Sequence, residues 1–263
     1  MRPNHVLRSW RDGGQTVGAW LSVNSSFSAE VMANRGFDWL CIDAQHGIID
    51  YSDAVHMLQA ISTTDTIPFV RVPWNDPPTI MKMLDAGSYG VVVPLVNNRA
   101  EAEAAVAACR YPPLGIRSFG PARASMYGGS GYPSWANDEI ACIVMIETAE
   151  ALENLEEIMS TPGVDAAYIG PSDLAYALGL EPTGDNDHPR HVETVQRIFD
   201  TAVRHGVAPG IHTGSVEYAT HYLKMGFRMV TLGADSGFMS AKATADLAAA
   251  REAGGVQALR PEA

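Results

Sequence analysis

The sequence predicts a (β/α)8 TIM barrel, and three observations carry that prediction. Eight short β-rich runs alternate with stretches of helical periodicity along the chain. Runs such as Gly90-Val91-Val92-Val93 are apolar throughout rather than alternating, as strands of a parallel sheet covered on both faces must be. The length of 263 residues is close to the ~250 typical of such barrels. An open doubly wound sheet is the alternative, but no GxGxxG follows the first run to make a dinucleotide site.

The first run, residues 17–23, leads into an amphipathic segment, 27–35, that Gly36 stops. Further runs lie at 39–43, 68–71, 90–94, 141–147, 166–170, 207–212 and 228–233, each before a segment able to form a helix. Asp76 is placed to cap the third helix with Pro77 at its first position, and Ala86-Gly87 to end it. The barrel then occupies about 17–250 of a single domain covering 1–263, with a short N-terminal lead and a flexible C-terminal tail.

Two interruptions break the pattern. Residues 111–138 are rich in Gly, Pro, Ser and aromatics, and connections of that length are commonly functional. With Arg117, Ser118, Phe119, Arg123, Tyr127, Tyr132 and Trp135, the segment suits either a lid over the site or an oligomer contact. Residues 179–191 hold Glu181, Asp185, Asp187, His188 and His191, but without the spacing of a chelating face, and read as a solvated loop.

Composition narrows the function. Hydrophobic residues make up 46% of the chain, enough for one large core. Thirty acidic against 18 basic residues give a net charge of −12, the wrong sign for a nucleic-acid or anionic-membrane surface, so small molecules are the expected partners. Cys41, Cys109 and Cys142 lack CxxC spacing, which indicates neither a disulfide framework nor a cysteine zinc site and fits a reducing cytoplasm. The start of the chain lacks the apolar region of a signal peptide, and no stretch approaches 18 uninterrupted apolar residues, so neither secretion nor a membrane span is expected.

In a barrel the C-terminal strand ends converge on one mouth, so polar residues there meet although distant in sequence. Those ends carry Asp43-Ala44-Gln45-His46, Arg71, Glu147, Gly170-Pro171-Ser172-Asp173 and His212. Glu147 and Asp173 are the candidate ligands of Mg2+ or Mn2+, since two carboxylates with waters and a chelating 2-keto acid make an oxygen-rich site. Equally, Glu147 could cap a helix and Asp173 sit in the first turn of its own. Arg71, emerging from an apolar run, needs an anionic partner: a keto oxygen becoming an enolate, or an internal pair with Asp43 or Glu147. His46 is placed as a general base, with Asp43 three residues earlier to hold its tautomer. Lys82, Lys224 and Lys242 are the only lysines. None lies at a strand end, so a Schiff base is not available and an enolate would need a metal.

At these residues the sequence resembles the HpcH/HpaI aldolase family, the metal-dependent class II pyruvate aldolases such as 4-hydroxy-2-oxoheptanedioate and 2-keto-3-deoxy-sugar-acid aldolases. The likeness spans residues 17–245. Its carriers are Gly36-Phe37-Asp38-Trp39 running into Asp43 and His46, Val70 through Asp76, Leu84-Asp85-Ala86-Gly87, Arg110 through Arg117, Ile146-Glu147-Thr148 and Ile169 through Leu174. The resemblance implies a barrel with Glu147 and Asp173 on a divalent metal (Mg2+ or Mn2+, with Co2+ or Zn2+ as further candidates). It places Arg71 on the keto oxygen and His46, paired with Asp43, in proton transfer. Gly170 and Ser172 then border the substrate. It also implies a cytoplasmic homohexamer, a trimer of dimers, that exchanges the last helix and lends Asp85 to the neighbouring site.

The implied reaction is reversible addition of pyruvate or a related 2-keto acid to an aldehyde. Gln45, Met145 and His212 depart from the family pattern, where an acidic residue, a glutamine and an aliphatic residue are usual, and they bear on substrate choice. His212 could contact a polar acceptor or a hydroxylated donor such as hydroxypyruvate, or be a packed histidine. Two alternatives stand beside the aldolase: a citrate-lyase-beta-like or malyl-CoA-type thioester lyase, and a non-catalytic binder of keto acid and metal.

Overall fold

The computed structural model describes residues 2–258. The chain opens with α1 (His5–Arg11), then β1 (Thr16–Leu21), α2 (Ser26–Ala33), β2 (Trp39–Asp43), α3 (Tyr51–Ile61), β3 (Ile67–Arg71), α4 (Pro77–Asp85) and β4 (Gly90–Val93). Three helices, α5 (Arg99–Cys109), α6 (Ala122–Gly128) and α7 (Tyr132–Glu139), precede β5 (Ala141–Ile146), and α8 (Ala149–Glu153) and α9 (Leu155–Met159) precede β6 (Ala166–Ile169). The remainder is α10 (Pro171–Ala177), α11 (Pro189–Arg204), β7 (Ala208–Ile211), α12 (Val216–Met225), β8 (Met229–Ala234) and α13 (Asp235–Gly254).

The eight strands form a closed parallel barrel in sequence order, β8 pairing with β1 through Thr16–Met229 and Val17–Val230. The expected strands fall within two residues of those observed. The interior is side-chain filled at its base, where Gly18 gives room to Trp39: a Cβ at position 18 would lie 2.1 Å from the indole. Asp76 caps α4 by accepting the Thr79 amide at 3.0 Å, with Pro77 at the first position.

The lead before the first strand is more than a connection. Asn4 caps α1, whose Val6, Leu7 and Trp10 are buried, and the Trp10 ring lies 5.8 Å from that of Phe69. The helix closes the N-terminal end of the barrel, tied to α7 by Asn4 N–H and Arg8 donating to the Glu139 carboxylate.

Residues 111–138 do not cover the mouth. They carry α6 and α7, and Arg123 donates to the carbonyls of Leu58 and Ala86, at the last turns of α3 and α4, which lie at the opposite end of the barrel. Tyr127 and Trp135 pack on Tyr89, just before β4. The lid expectation fails because Arg123 finds backbone acceptors at those helix ends and Arg117 pairs with the carboxylate of Asp85 at the end of α4.

The 179–191 loop also has structural partners. Asp185 accepts the Gly214 amide at 2.9 Å, His188 caps α11, and buried His191 meets the Pro171 carbonyl through Nε2 at 3.2 Å. Along α13 only Asp235 is buried. α13 runs to Gly254, a little past the expected barrel end at about 250, and the expected flexible tail falls largely on residues 259–263, which lie outside those described. Among the described residues, no helix is long and apolar enough to cross a membrane.

Candidate active site

The C-terminal strand ends surround a cavity of about 540 Å³, lined by Asp43, His46, Arg71, Gly170, Ser172, Asp173 and His212 together with Trp20, Met145 and Tyr168. Glu147, only 3% exposed, is packed behind Gly170: a Cβ at position 170 would come within 2.3 Å of Glu147 Oε2. Asp85 is not part of this cavity; its carboxylate accepts Arg117 Nη2 at 2.8 Å.

Arg71 and Asp43 face each other across neighbouring strand ends in a register pair of β2 and β3. Nε donates to Oδ1 at 2.9 Å and Nη2 to Oδ2 at 2.7 Å, a fork-on-fork contact that fixes the guanidinium plane. The plane is also stacked on Trp20, with Cζ 4.3 Å from the ring centroid. Burial pulls the Arg71 pKa down, but the bond and charge of Asp43 outweigh it and hold the group above its ordinary value. Nη1 makes no hydrogen bond among the described residues, and Arg71 lines the cavity.

Asp43 is thus occupied differently from the sequence expectation. Besides Arg71, its Oδ1 accepts the backbone amides of Gln45 and His46 at 3.1 and 3.2 Å. The carboxylate positions the turn that carries His46 and makes no hydrogen bond to the imidazole, because the turn folds its amides back onto the acid. The His46 ring stands exposed at the lip of the cavity.

Glu147 follows β5, and its Oε1 accepts the amide of Leu95 at 3.1 Å. Leu95 is the one non-glycine with positive φ among the described residues, at 54°, an expensive conformation that such sites often hold. Asn97 fixes it by donating Nδ2 to the Leu95 carbonyl at 2.9 Å. Glu147 Oε2 is buried with no hydrogen-bond partner among the described residues. Burial pushes this carboxyl up to about 7, against the Leu95 amide, and the nearby charge of Asp173 adds to the rise.

A buried carboxylate oxygen without a donor, beside a second carboxylate on the first turn of α10, is the arrangement that a divalent cation would satisfy. No cluster of three or more His, Cys, Asp or Glu is present among the described residues. Two protein oxygen ligands leave the remaining positions to water and substrate. The residues therefore fit a hard, oxygen-coordinated metal.

Sequence reasoning missed the interior network beneath His212. Trp20, Tyr168 and Thr231 are polar-tipped residues within otherwise aliphatic strands, and that contrast was the available signal. It also missed Asp235, buried, which accepts from Ser22 N–H at 2.8 Å and Ser28 Oγ at 3.0 Å and so ties the end of β8 to the loop after β1.

The profile of the HpcH/HpaI aldolase/citrate lyase family matches residues 16–241. The chain is 41% identical over 248 residues to the hydroxypyruvate/pyruvate aldolase of Rhizorhabdus wittichii, covering 94% of this chain and 99% of that one. It is 43% identical over 232 residues to the 2-dehydro-3,6-dideoxy-6-sulfogluconate aldolase of Pseudomonas putida, covering 86% and 89%. A crystal structure of an HpcH/HpaI aldolase/citrate lyase family protein from Burkholderia cenocepacia superposes with a TM-score of 0.89 at 34% identity, covering 94% and 99%. With a closed barrel, two carboxylates and an anchored arginine at its mouth, and matches running nearly end to end, the chain belongs to the HpcH/HpaI aldolase/citrate lyase family.

Proposed function

We propose that this protein is a divalent-metal-dependent aldolase that joins and cleaves a pyruvate-type 2-keto acid, hydroxypyruvate among them, and an aldehyde. The observation that carries the reading is the unpartnered, buried Glu147 Oε2 beside Asp173, across the cavity mouth from an arginine locked in place. Aldolases of this family generally depend on a divalent metal, and the oxygen ligands suit Mg2+ or Mn2+ first, Co2+ or Zn2+ next. Glu147 and Asp173 would hold the metal, which would supply Lewis acidity to the 2-keto acid donor.

The chain's own residues do the rest. Gly170 and Ser172 bound the acid end of the donor beside Asp173. Arg71 Nη1 donates to the keto oxygen, and because Asp43 and Trp20 hold the guanidinium beforehand, little reorganisation is needed as negative charge develops there. His46 takes the proton from carbon 3 during addition and delivers it to the new hydroxyl oxygen on carbon 4; in cleavage it takes that hydroxyl proton and returns it to carbon 3. Asp43 positions both Arg71 and the His46 turn.

Arg71 is the one Arg or Lys lining the cavity and is already paired. A coenzyme A thioester would need further basic contacts, so the thioester-lyase alternative lacks support. The whole chain acts as one catalytic domain. Its three free, buried thiols fit a cytoplasmic setting. Assembly as a homohexamer, a trimer of dimers with exchanged last helices, belongs to the same reading. It is supported by the exposure of nearly all of α13 and by an apolar groove between α2 and α13 that includes Phe27, Val31, Phe238 and Met239. Asp85 would then serve a neighbouring site.

The test is cleavage of 4-hydroxy-2-keto acids with the pyruvate released measured by coupled reduction. Mg2+ or Mn2+ should support turnover and a chelator should stop it. Full activity after metal removal would refute the reading.

A further inference from the structure

His212 stands where β7 reaches the cavity, edge-on to Trp20 with ring centroids 5.5 Å apart and planes at 74°. Its Nδ1 lies 3.3 Å from Tyr168 Oη. Tyr168 Oη in turn accepts Trp20 Nε1–H at 2.9 Å and touches Thr231 Oγ1 closely. Tyr168 and Thr231 are fully buried.

Counting donors and acceptors in this dry cluster decides where the protons lie. The indole can only donate. The Thr231 hydroxyl has two partners, the indole and Tyr168 Oη, so its proton can go only to Tyr168. With both lone pairs of Oη then taken, the phenol proton has one acceptor left, His212 Nδ1. The reverse order, Tyr168 donating to Thr231, strands a buried hydroxyl proton without an acceptor, which protein interiors avoid. His212 Nδ1 is therefore an acceptor, and the ring proton sits on Nε2. That nitrogen has no hydrogen-bond partner among the described residues and is not sealed from the cavity. Burial first, and then the charge of Arg71, outweigh the pull of Asp185 and Asp43 and lower the His212 pKa to about 4, so the ring is a neutral donor at ordinary pH.

Arg71 and His212 flank the same indole. Were the proposed donor to place its keto oxygen at Arg71 and its acid end at Gly170 to Asp173, carbon 3 would be left to the wall made by Trp20 and His212. We propose that His212 Nε2–H is the specificity-determining donor of this site, selecting 2-keto acids that carry an oxygen on carbon 3 over those that carry only a methyl group. Tyr168 and Thr231 are positioning residues that set its tautomer. This rests on the aldolase reading and deepens it. A methyl group would leave the N–H facing carbon in a desolvated pocket, the situation in which polar sites discriminate best.

The experiment compares kcat/KM for hydroxypyruvate and pyruvate with glycolaldehyde as the common acceptor, using metal-loaded wild type, His212→Leu, His212→Gln and Tyr168→Phe. The hydroxypyruvate-to-pyruvate ratio is the readout, so a general loss of activity does not move it. Wild type should favour hydroxypyruvate by about tenfold or more. His212→Leu should remove that preference, chiefly through KM for hydroxypyruvate, and His212→Gln, which restores an N–H donor, should recover part of it. Ring nitrogen NMR of wild type should show the Nε2–H tautomer, with Tyr168→Phe altering it. An unchanged ratio in His212→Leu, no preference in wild type, or an Nδ1–H tautomer would each overturn the assignment. Turnover of pyruvate alone would overturn it and leave the aldolase standing, whereas turnover of neither donor would remove both.

Discussion

Glu147 is held by one oxygen and left open at the other: Oε1 takes the amide of Leu95 at 3.1 Å while Oε2 lies buried without a partner. Leu95 reaches that bond only by adopting φ of 54°. The backbone strain is thus tied to aiming one carboxylate.

The metal-free protein should register the cost of that open oxygen. Glu147 titrates at about 7 in the folded chain against an ordinary 4.5. Its contribution to stability is complete below pH 4.5 and lost as pH rises through 7, up to about 3 kcal/mol. In chelator, Glu147→Gln should therefore be more stable than wild type at pH 8 and not at pH 4. Melting curves at the two pH values check this, and equal gaps at both would contradict it. The same variant should lose metal-induced stabilisation and at least about 100-fold in kcat.

Gly170 keeps the space in front of Oε2 open. In Gly170→Ala the new Cβ would meet Oε2 at 2.3 Å, and with Oε1 anchored on Leu95 the carboxylate cannot swing away freely. Metal titrations should show half-activation raised by about tenfold or more, as for loss of supporting geometry at metal sites. The melting temperature in chelator should fall as well, because the new Cβ crowds a buried and anchored carboxylate, so metal affinity is read on protein held well below its melting point. Unaltered metal affinity would show that Glu147 does not hold the ion.

Breaking the Arg71–Asp43 pair should cost both stability and rate. Both side chains are nearly buried, 11% and 9% exposed. Asp43→Asn leaves the guanidinium without its counter-charge and without the acceptor for Nη2, a loss on the order of 3 kcal/mol, while an amide oxygen can still accept from the turn bearing His46. Arg71→Lys keeps the charge but cannot span two oxygens or stack on Trp20. Both variants should lose about 100-fold in kcat. Chemical denaturation should separate them, with Asp43→Asn the less stable.

Acid stability should report on His212. Its folded-state pKa is about 4 against an ordinary 6.5. The unfolded chain therefore binds the proton first, and the stability His212 contributes is complete above pH 6.5 and lost as pH falls towards 4, by up to about 3 kcal/mol. Relative to wild type, His212→Gln should gain in melting temperature on going from pH 7 to pH 4.5. A constant difference across that range would mean the imidazole is solvated.

The barrel was legible in the sequence because parallel strands covered on both faces read as unbroken apolar runs, and Asp76-Pro77 and Gly87 punctuate the helices as local chemistry demands. The mouth was legible because strand ends converge, which brought Asp43, Arg71, Asp173 and His212 to one cavity. The Asp43 contacts were not, since whether the carboxylate turns to an imidazole or to two amides depends on the path of one turn. Arg123 illustrates the same limit: its acceptors are backbone carbonyls of distant helix ends, which carry no sequence signal. Trp20, Tyr168 and Thr231 meet only once the barrel closes and β8 lies beside β1.

The chemistry proposed for this mouth begins with abstraction of a proton from carbon 3 of a bound 2-keto acid. Incubating the protein with pyruvate in D2O, with Mg2+ or Mn2+ and separately with a chelator, follows loss of the methyl proton signal without requiring any aldehyde. Exchange should depend on metal and disappear in Glu147→Ala and His46→Ala. Absence of exchange with metal bound, or exchange that survives both substitutions, would contradict it.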